Sequence, residues 1–311
     1  MTAEIEDRAV VPVPQGTRNP MSAVYVRPLY RTADDAAQKP YTMFGITPYS
    51  RTIGAEISGV DLSKPISPQL QAELHRCLLE WKVIFFRDQN LDSHAHRDMA
   101  ELWGTPEIHP FIPKADIPEV VRLARGPADI PVENVWHSDA SFEQTPPMGS
   151  ILKAVSVPTT GGDTLWSDMA VAYDGLSDEV KARIDGKVAV HDFMQTFGRR
   201  LPPDVKAQKA AEYPPQEHPV VRIHPETGQK LIYVNTIFTT HIVGIPKDES
   251  DELLKILMHE ATHPEYQCRF HWKPGSVAFW DNRATQHYAC GDYFPDPRVM
   301  ERVTILGDKP F

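Results

Sequence analysis

The sequence predicts a mainly β fold, a β-sandwich or jelly roll that carries helical insertions. Two observations lead to this prediction. After about residue 150, short apolar or alternating runs recur between turn residues, as the strands and turns of a sandwich do. Helical periodicity, in contrast, is confined to a few separate segments. The 311 residues are enough to bury the core of one large domain.

The elements predicted in the first half are two helices and a buried strand. Residues 67–82 (SPQLQAELHRCLLEWK) have helical spacing and precede the short apolar strand VIFFRD. Residues 93–104 (SHAHRDMAELWG) predict a second helix that ends at Gly104. Residues 1–45 are rich in Pro, Arg, Ala and Asp without a sustained period, so we expect a partly ordered extension. A single domain is then expected over residues 46–311.

The second half predicts a series of strands, which are SILKAVSV, KVAVHDF, HPVVRIH, KLIYVNT, YQCRFHW, SVAFWDN and ERVTILG. The turn-rich stretch HPETGQK predicts a hairpin between the third and the fourth of them. One helix, over residues 248–262, is expected to interrupt the series.

Composition narrows the class of protein. The net charge of −10, without a long basic block, argues against a nucleic-acid partner. The three cysteines are an odd number and form no C-x-x-C pair, which argues against a disulfide framework and fits a reducing compartment. The sequence shows neither an apolar signal segment at its start nor an apolar run of about 20 residues, the length that spans a bilayer. We therefore expect a cytoplasmic enzyme or binding protein that does not insert into membranes.

One stretch matches a known zinc motif. Residues 259–263 (HEATH) read as H-E-x-x-H, the helical motif of many metalloproteases, in which Glu260 would act as the base. On a helical wheel, however, His259 and His263 fall on the polar side, opposite the apolar stripe. Pro264 then stops the helix. We interpret the segment as a surface helix and keep a zinc peptidase as a remote alternative.

A better metal site is predicted by His137-Ser138-Asp139, an H-x-D sequence. Residues i and i+2 of a strand point to one face, so an imidazole and a carboxylate can bind one ion. His287 lies far downstream and is a candidate third ligand. Two histidines and one carboxylate suit a non-haem Fe(II) site with open positions. His94 and His96 are a second pair of potential ligands two residues apart, and we interpret them as lying on the surface of a helix.

Three stretches carry a family resemblance: WHSDASFEQTPP, GGDTLW and WDNRATQHYACGDYFPDPRVMERVTILGDKPF. From about residue 48 to the C-terminus, the chain resembles the taurine dioxygenase (TauD/TfdA) family of Fe(II)/2-oxoglutarate-dependent oxygenases. The resemblance implies a double-stranded β-helix, a cupin-like jelly roll, which agrees with the strand pattern. It also implies that His137, Asp139 and His287 hold Fe(II), with 2-oxoglutarate and O2 as co-substrates.

The resemblance extends to residues that bind the two organic molecules. It implies that Thr164 and Arg298 hold the far carboxylate of 2-oxoglutarate, and a guanidinium fork suits a carboxylate. It implies that Arg302, four residues further along the same strand, binds the anionic group of the substrate together with His109. Residues four positions apart on a strand lie on the same face, so both arginines can point into one pocket.

At the other end of the substrate the chain departs from the family. The resemblance implies aromatic walls at Phe197 and Phe238. Taurine enzymes, however, have a tyrosine where Ile112 stands and an asparagine where Glu133 stands, with Asn134 next to it. Either Glu133 pairs with a substrate ammonium, or the alignment shifts by one residue. The anion grip is therefore expected to be retained and the opposite end altered.

The leading prediction is an oxidoreductase of sulfur metabolism that acts on a small organic sulfonate resembling taurine. It hydroxylates the carbon next to sulfur, and sulfite and an aldehyde are released with succinate and CO2. The alternatives are an alkyl sulfate ester or an aryloxyalkanoate as substrate, and, remotely, the zinc peptidase at His259, Glu260 and His263. A non-catalytic relative of the fold is a further alternative. The resemblance implies a homo-oligomer, a dimer or a tetramer.

Overall fold

The structure is a computed structural model, and it describes residues 17–18, 25–26, 29, 31, 39–109 and 113–311. Most of the extension predicted over residues 1–45 lies outside the described residues, as does Ile112. In the described part of the chain, no helix has both the length and the apolar character that a membrane crossing requires.

Six α-helices, seventeen strands and three short 3-10 helices make up the regular structure of the described residues. The helices are α1 (Pro68–Trp81), α2 (Ser93–Glu101), α3 (Met169–Gly175), α4 (Asp178–Ile184), α5 (Pro203–Glu212) and α6 (Lys247–Glu260). The strands are β1 (Thr17–Arg18), β2 (Tyr25–Val26), β3 (Gly45–Pro48), β4 (Ala55–Ser58), β5 (Val83–Phe86), β6 (Val121–Arg125), β7 (Gly149–Ser156), β8 (Thr164–Asp168), β9 (Val188–His191), β10 (Gln216–Pro219), β11 (Val221–Ile223), β12 (Lys230–Ile232), β13 (Thr239–Ile242), β14 (Gln267–Phe270), β15 (Val277–Asp281), β16 (Thr285–Ala289) and β17 (Arg298–Ile305).

The mainly β architecture with helical insertions is confirmed. Every strand predicted after residue 150 overlaps an observed one, and the predicted hairpin joins β11 to β12. The prediction of a single helix in this half is wrong, because α3, α4 and α5 lie there as well. Two of these helices are only seven residues long, so they offer about two turns of periodicity. Their starts are fixed by the side chains of Asp168 and Ser177, which cap the first turns.

Two sheets share one core. The larger has the strand order β3-β4-β5-β15-β7-β17-β6 and the smaller has the order β14-β8-β16. Phe85 and Trp280 from the larger sheet pack in one buried cluster with Trp166 and Phe270 from the smaller. The rings of Phe85 and Phe270 stack with centroids 4.1 Å apart. The strands that carry the candidate site residues, β8, β16 and β17, belong to this pair of sheets.

Helices α1 and α2 cover the outer face of the larger sheet through a second apolar cluster. His96 lies on the buried side of α2 with Met99 and Ala100, at the i+3 and i+4 positions. Its ring nitrogen Nε2 is 3.0 Å from the carbonyl oxygen of Ile151. The interpretation of His94 and His96 as a surface pair is therefore wrong for His96, while His94 is exposed.

Helix α6 packs its leucine face inward and presents its polar face to solvent. His259 is exposed, and His263 lies beyond the end of the helix, where its Nε2 is 3.7 Å from Oε1 of Glu260. This arrangement confirms the prediction of a surface helix. In the part of the chain that the structure describes, no group of three potential metal ligands includes His259, Glu260 or His263. The zinc site that the peptidase alternative requires is therefore not formed.

A buried ion pair joins the end of α1 to the smaller sheet. Nζ of Lys82 lies 3.1 Å from Oδ2 of Asp168, and both side chains are almost completely buried. The same ammonium donates to the carbonyl oxygen of Arg31 at 2.9 Å. The guanidinium of Arg31 lies over the ring of Trp81, 4.2 Å from its centre. These contacts attach Arg31 to the end of α1.

Candidate active site

His137, Asp139 and His287 form a compact group of potential metal ligands. The backbones of the two histidines exchange hydrogen bonds of 3.1 and 2.8 Å, which places their rings side by side. One potential ligand atom from each residue lies within 4.8 Å of the other two. Within the described ranges this is the only such group of three His, Cys, Asp or Glu residues.

The geometry of this group fits a single metal ion. Oδ1 of Asp139 is 3.9 Å from Nε2 of His137 and 4.0 Å from Nε2 of His287. Both distances are below about 4.2 Å, twice a metal–nitrogen bond of about 2.1 Å. Nδ1 of His137 is 2.8 Å from the carbonyl oxygen of Val135, to which it can donate, so its Nε2 carries the free lone pair.

Asp139 lies in a turn and not in a strand, which corrects the geometric argument for H-x-D. Asn282 holds this turn from two sides. The Asp139 N–H donates to Oδ1 of Asn282 at 2.8 Å, and Nδ2 of Asn282 donates to the Asp139 carbonyl at 3.0 Å. Ala140 then adopts a left-handed conformation with φ of 46°. A backbone clamp, and not strand alternation, therefore aims the carboxylate at the two histidines.

Arg302 controls the charge of this carboxylate. Burial by itself would raise the pKa of Asp139, but the nearby Arg302 guanidinium, with His287 and His137, outweighs burial and lowers the pKa to about 2. Nη1 of Arg302 donates to Oδ2 of Asp139 at 3.1 Å. Burial, followed by His137, lowers the pKa of His287 to about 3. An ionised carboxylate and a neutral imidazole are the forms that bind metals.

Arg298 lies on the same strand face as Arg302, beside a glycine loop. Its Nη2 donates to the carbonyl of Gly162 at 3.4 Å, while its Nε is buried and has no hydrogen-bond partner among the residues described. Burial lowers the pKa of this guanidinium. Gly162 has a φ of 70°, and a Cβ added there would lie 3.2 Å from the Tyr293 ring, so both the backbone conformation and the available space favour glycine. Unused donors in a buried guanidinium suit a carboxylate ligand.

Thr164 begins β8 within the same region and is buried. Its hydroxyl accepts a hydrogen bond of 2.9 Å from the indole Nε1 of Trp272. The guanidinium carbon of Arg298 is 6.0 Å from the centre of the Trp272 ring. Trp272 therefore adjoins both residues that the family resemblance assigns to 2-oxoglutarate.

His109 lies half-buried near Arg302. Burial, and then the charges of Arg302 and Lys114, lower the pKa of His109 to about 4. The imidazole is therefore neutral at physiological pH, and a neutral imidazole carries one ring N–H. Lys114 donates to the carbonyl of His109.

An aromatic cluster adjoins the turn that carries Asp139. Phe142, Phe193 and Phe238 are buried together, and Ala140 packs against them. Phe197 is 55% exposed and stacks on Phe193 and Phe238, with centroids 5.5 and 6.1 Å away. Phe238 thus belongs to the core of the cluster, and Phe197 forms its solvent-facing edge.

Residues 45–304 match the family described as "Taurine catabolism dioxygenase TauD, TfdA family". The chain belongs to this family. Membership makes it an oxidoreductase, a 2-oxoglutarate-dependent dioxygenase, and the group of His137, Asp139 and His287 supplies a place for the metal that such enzymes use.

Three proteins of similar sequence or structure show which activities occur among its relatives. The alkylsulfatase of Acinetobacter baylyi is 36% identical over 286 residues, which cover 87% of each chain. The alpha-ketoglutarate-dependent sulfate ester dioxygenase of Pseudomonas putida is 36% identical over 274 residues, 85% of this chain and 90% of the relative. The crystal structure of a taurine dioxygenase from Burkholderia xenovorans is 39% identical, with a TM-score of 0.76 over 86% of this chain and 91% of that one.

In this dioxygenase Glu133, one of the two candidates for the amino end of a substrate, forms an ion pair with Arg125. The Glu133 carboxylate binds Arg125, while Asn134 is exposed. Burial would raise the pKa of Glu133, but Arg125 and backbone N–H groups outweigh it and lower this pKa. The register of β6 and β17 places Arg125 opposite Arg298. The charge of the Glu133 carboxylate is therefore already balanced by the Arg125 guanidinium.

Several polar residues of the site were missed by sequence reasoning. Asn282 and Trp272 act through partners more than 100 positions away, so spacing gave no sign of them.

Two carboxyl groups, those of Glu107 and Glu143, were also missed, because neither residue belongs to a recognised motif. Burial, and then the charge of Glu107, raise the pKa of Glu143 to about 7. Burial also raises the pKa of Glu107, with Arg302 opposing it.

Proposed function

We propose that this dioxygenase oxidises a small alkyl sulfate ester at the carbon bonded to the ester oxygen. The observation that carries the proposal is the position of Arg302, which contacts Asp139 at 3.1 Å and so borders the metal-ligand group. An anion bound to this guanidinium would have its neighbouring carbon close to the metal. That carbon is the one at which oxidation releases the sulfur group.

The metal and the co-substrate are assigned to two groups of residues. His137, Asp139 and His287 would hold Fe(II), because their nitrogen and oxygen donors leave other positions of the ion open. Thr164 and Arg298 would hold the far carboxylate of 2-oxoglutarate. When bound, the metal with 2-oxoglutarate and O2 supplies the oxidant, and 2-oxoglutarate is converted to succinate and CO2. We assign the two-sheet core that carries these residues to the double-stranded β-helix.

Arg302 and His109 would bind the substrate anion. One Nη of Arg302 is used by Asp139, and its Nε is buried without a hydrogen-bond partner among the described residues. Such a guanidinium still has donors for the oxygens of a sulfate group. His109, neutral at physiological pH, adds an N–H without a second full charge. The two residues hold the anion in place while the carbon beside it reacts.

The aromatic side chains beside the metal-ligand group suit an apolar chain. The cluster of Phe142, Phe193 and Phe238 adjoins Ala140, one residue after Asp139, and Phe197 extends this surface to solvent. Glu133, one of the two candidate partners for the ammonium group of taurine, is bound to Arg125. The relatives from Acinetobacter baylyi and Pseudomonas putida are named for sulfate esters. These observations favour the alkyl sulfate over taurine, the reverse of the order that the sequence suggested.

The same two steps, hydroxylation and bond cleavage, release the sulfur group from a sulfate ester or from a sulfonate. Insertion of one oxygen atom into the C–H bond gives a carbon that bears both a hydroxyl and the sulfate group. The C–O bond to sulfate then breaks, the hydroxyl proton is lost, and an aldehyde and hydrogen sulfate leave. With a sulfonate the C–S bond breaks in the same way, and sulfite is released with the aldehyde.

A sulfonate substrate is the second candidate. The likeness to the taurine dioxygenase structure of Burkholderia xenovorans favours it. Arg302 and His109 serve a sulfonate as well as a sulfate ester, since both groups present anionic oxygens on sulfur. The homo-oligomer and the cytoplasmic location stay predictions from the sequence.

An assay of succinate and of the released sulfur anion tests the proposal. Enzyme loaded with Fe(II) is incubated in air with 2-oxoglutarate and, in separate tubes, hexyl sulfate, hexanesulfonate, taurine and phenoxyacetate. Hexyl sulfate is expected to stimulate succinate most and to release sulfate. Sulfite from taurine or hexanesulfonate at a higher rate would favour the second candidate. Stimulation by phenoxyacetate alone would contradict both.

A further inference from the structure

We propose that Trp272 is a positioning residue, which orients the Thr164 hydroxyl so that its proton points to the far carboxylate of 2-oxoglutarate. The inference rests on the proposed function, because it takes Thr164 and Arg298 as the residues that bind this carboxylate. It adds a residue for which neither the motifs nor the family resemblance gave a role.

The first step concerns the direction of one hydrogen bond. Nε1 of Trp272 and Oγ1 of Thr164 are 2.9 Å apart, and both side chains are 2% exposed. An indole nitrogen carries a hydrogen and has no free lone pair, so it can only donate. The Thr164 oxygen must therefore be the acceptor. This contact leaves the single hydroxyl hydrogen of Thr164 for another partner.

The second step concerns that hydrogen. Among the residues that the structure describes, Trp272 is the only side-chain or backbone group that shares a hydrogen bond with the Thr164 hydroxyl. A buried hydroxyl hydrogen without an acceptor is unfavourable. A carboxylate is an acceptor only, so it is complementary to a hydroxyl whose direction is fixed in this way. The hydrogen bond from the indole thus orients the Thr164 hydroxyl so that it acts as a donor to the ligand.

The third step is the contact of the same indole with Arg298. The Arg298 guanidinium lies 6.0 Å from the centre of the Trp272 ring, at the outer limit of a cation–π contact. The Trp272 ring is itself held edge-on against Phe270, with centroids 4.9 Å apart and an interplanar angle of 90°. One rigid side chain therefore adjoins both proposed anchors of the co-substrate.

Other buried tryptophans show that this hydrogen bond is not general in the fold. The indole nitrogens of Trp81, Trp166 and Trp280 are buried and have no hydrogen-bond partner among the described residues. Trp166 lies two residues after Thr164 on β8, and its ring is 6.4 Å from that of Trp272. It is therefore a matched control, with a similar position and no N–H contact to lose.

The test measures binding of 2-oxoglutarate to the full chain loaded with Mn(II), by isothermal titration calorimetry. Trp272→Phe removes the N–H and keeps an aromatic ring, and it is expected to weaken 2-oxoglutarate binding about five- to tenfold. The affinity for Mn(II) is expected to stay within about twofold, and kcat at saturating 2-oxoglutarate is expected to change less than the KM for 2-oxoglutarate. Trp166→Phe is expected to leave the Kd for 2-oxoglutarate unchanged.

A double-mutant cycle separates positioning from packing. In a Thr164→Val background, Trp272→Phe is expected to have no further effect on 2-oxoglutarate binding, whereas in a Thr164→Ser background it keeps its effect. Additive effects in the Val background, or equal losses for Trp166→Phe and Trp272→Phe, would overturn the inference. If Thr164→Val weakens binding and Trp272→Phe does not, the inference alone fails. If Thr164→Val itself has no effect, the proposed role of Thr164 fails, and the inference with it.

A measurement on the unaltered side chain covers the case in which Trp272→Phe does not fold. The indole N–H resonance of Trp272 in 15N-labelled enzyme is expected to shift when Thr164 is replaced by Val and when 2-oxoglutarate binds. Resonances that stay in place in both experiments would overturn the inference.

Discussion

Nη1 of Arg302 and Oδ2 of Asp139 are 3.1 Å apart, so the proposed substrate anchor touches a proposed metal ligand. The contact lowers the pKa of Asp139 and keeps the carboxylate ionised. An anion held by this guanidinium would therefore lie close to the metal-ligand group. Arg298 lies four residues earlier on β17, and its guanidinium donates to the carbonyl of Gly162. The two arginines are therefore expected to have separate roles.

Replacing each arginine separates these roles. Arg302→Ala is expected to raise the KM for the alkyl sulfate about 10- to 100-fold, since a hydrogen bond to a charged group contributes about 1.5–3 kcal/mol. Arg298→Ala is expected to weaken 2-oxoglutarate binding by a similar factor. Steady-state kinetics and calorimetry measure the two effects. Arg122→Ala is the control, because Arg122 lies on β6 and pairs with Glu301. Effects that are exchanged between Arg298 and Arg302 would show that the roles are assigned wrongly.

Asn282 is expected to determine how well the site holds a metal. Asn282→Ala removes both hydrogen bonds that clamp the Asp139 backbone. Loss of such an outer contact typically lowers metal affinity about 10- to 100-fold. Titration with Mn(II) followed by electron paramagnetic resonance measures the affinity. The exposed Asn134, replaced by Ala, should bind Mn(II) like the parent enzyme, and an unchanged affinity in Asn282→Ala would refute the clamp.

Glu143 is expected to lower stability at alkaline pH in the metal-free enzyme. Its pKa is raised from 4.5 to about 7 by burial, followed by Glu107. Below pH 4.5 the carboxyl is protonated in both the folded and the unfolded chain, so no penalty arises. As the pH rises toward 7 the unfolded chain releases its proton first, and the folded state is penalised. Glu143→Gln should therefore raise Tm at pH 8 and have little effect at pH 4. The exposed Glu265, changed to Gln, should show no such difference, and an equal shift at both pH values would contradict the assignment.

The ion pair of Lys82 and Asp168 is expected to be sensitive to loss of one partner. Both side chains are buried, so Lys82→Met leaves an unpaired carboxylate in the interior. We expect the free energy of unfolding to fall by about 3–5 kcal/mol in urea titrations. Lys64→Met, at a side chain that is 76% exposed, should change it by less than about 1 kcal/mol. If Lys82→Met also lowered the free energy of unfolding by less than about 1 kcal/mol, the ion pair would not be needed for stability.

The H-E-x-x-H residues are expected to be dispensable. His259 is exposed and His263 lies past the end of α6, so the double variant His259→Ala, His263→Ala should keep the metal content and the activity of the parent enzyme. Metal analysis and the succinate assay measure both. Loss of one equivalent of metal in this variant, with His137→Ala unaffected, would restore the peptidase alternative.

Local patterns predicted those features that depend on neighbours in sequence. The strands after residue 150 and the leucine face of α6 follow from periodicities of two and 3.6 residues. His137 and Asp139 were found through their H-x-D spacing, although a turn and not a strand brings them together. The buried position of His96 was missed because a pair of histidines in a polar helix gives no sign of a nearby carbonyl.

Features that depend on distant contacts were not predictable from one sequence. Asn282 and Trp272 lie within or near recognised stretches, but their partners are 143 and 108 residues away. The ion pair of Glu133 with Arg125 joins residues only eight positions apart, but it depends on how the loop before His137 folds back on β6, which spacing does not show. Helices α3 and α4 were missed because seven residues carry too little periodicity.

The most direct measurement is the ratio of sulfate to succinate when hexyl sulfate is limiting and 2-oxoglutarate and O2 are in excess. The account predicts one sulfate and one aldehyde for each succinate formed above the substrate-free rate, and neither product from the Asp139→Ala variant. Succinate without sulfate, or sulfate released without 2-oxoglutarate, would contradict it.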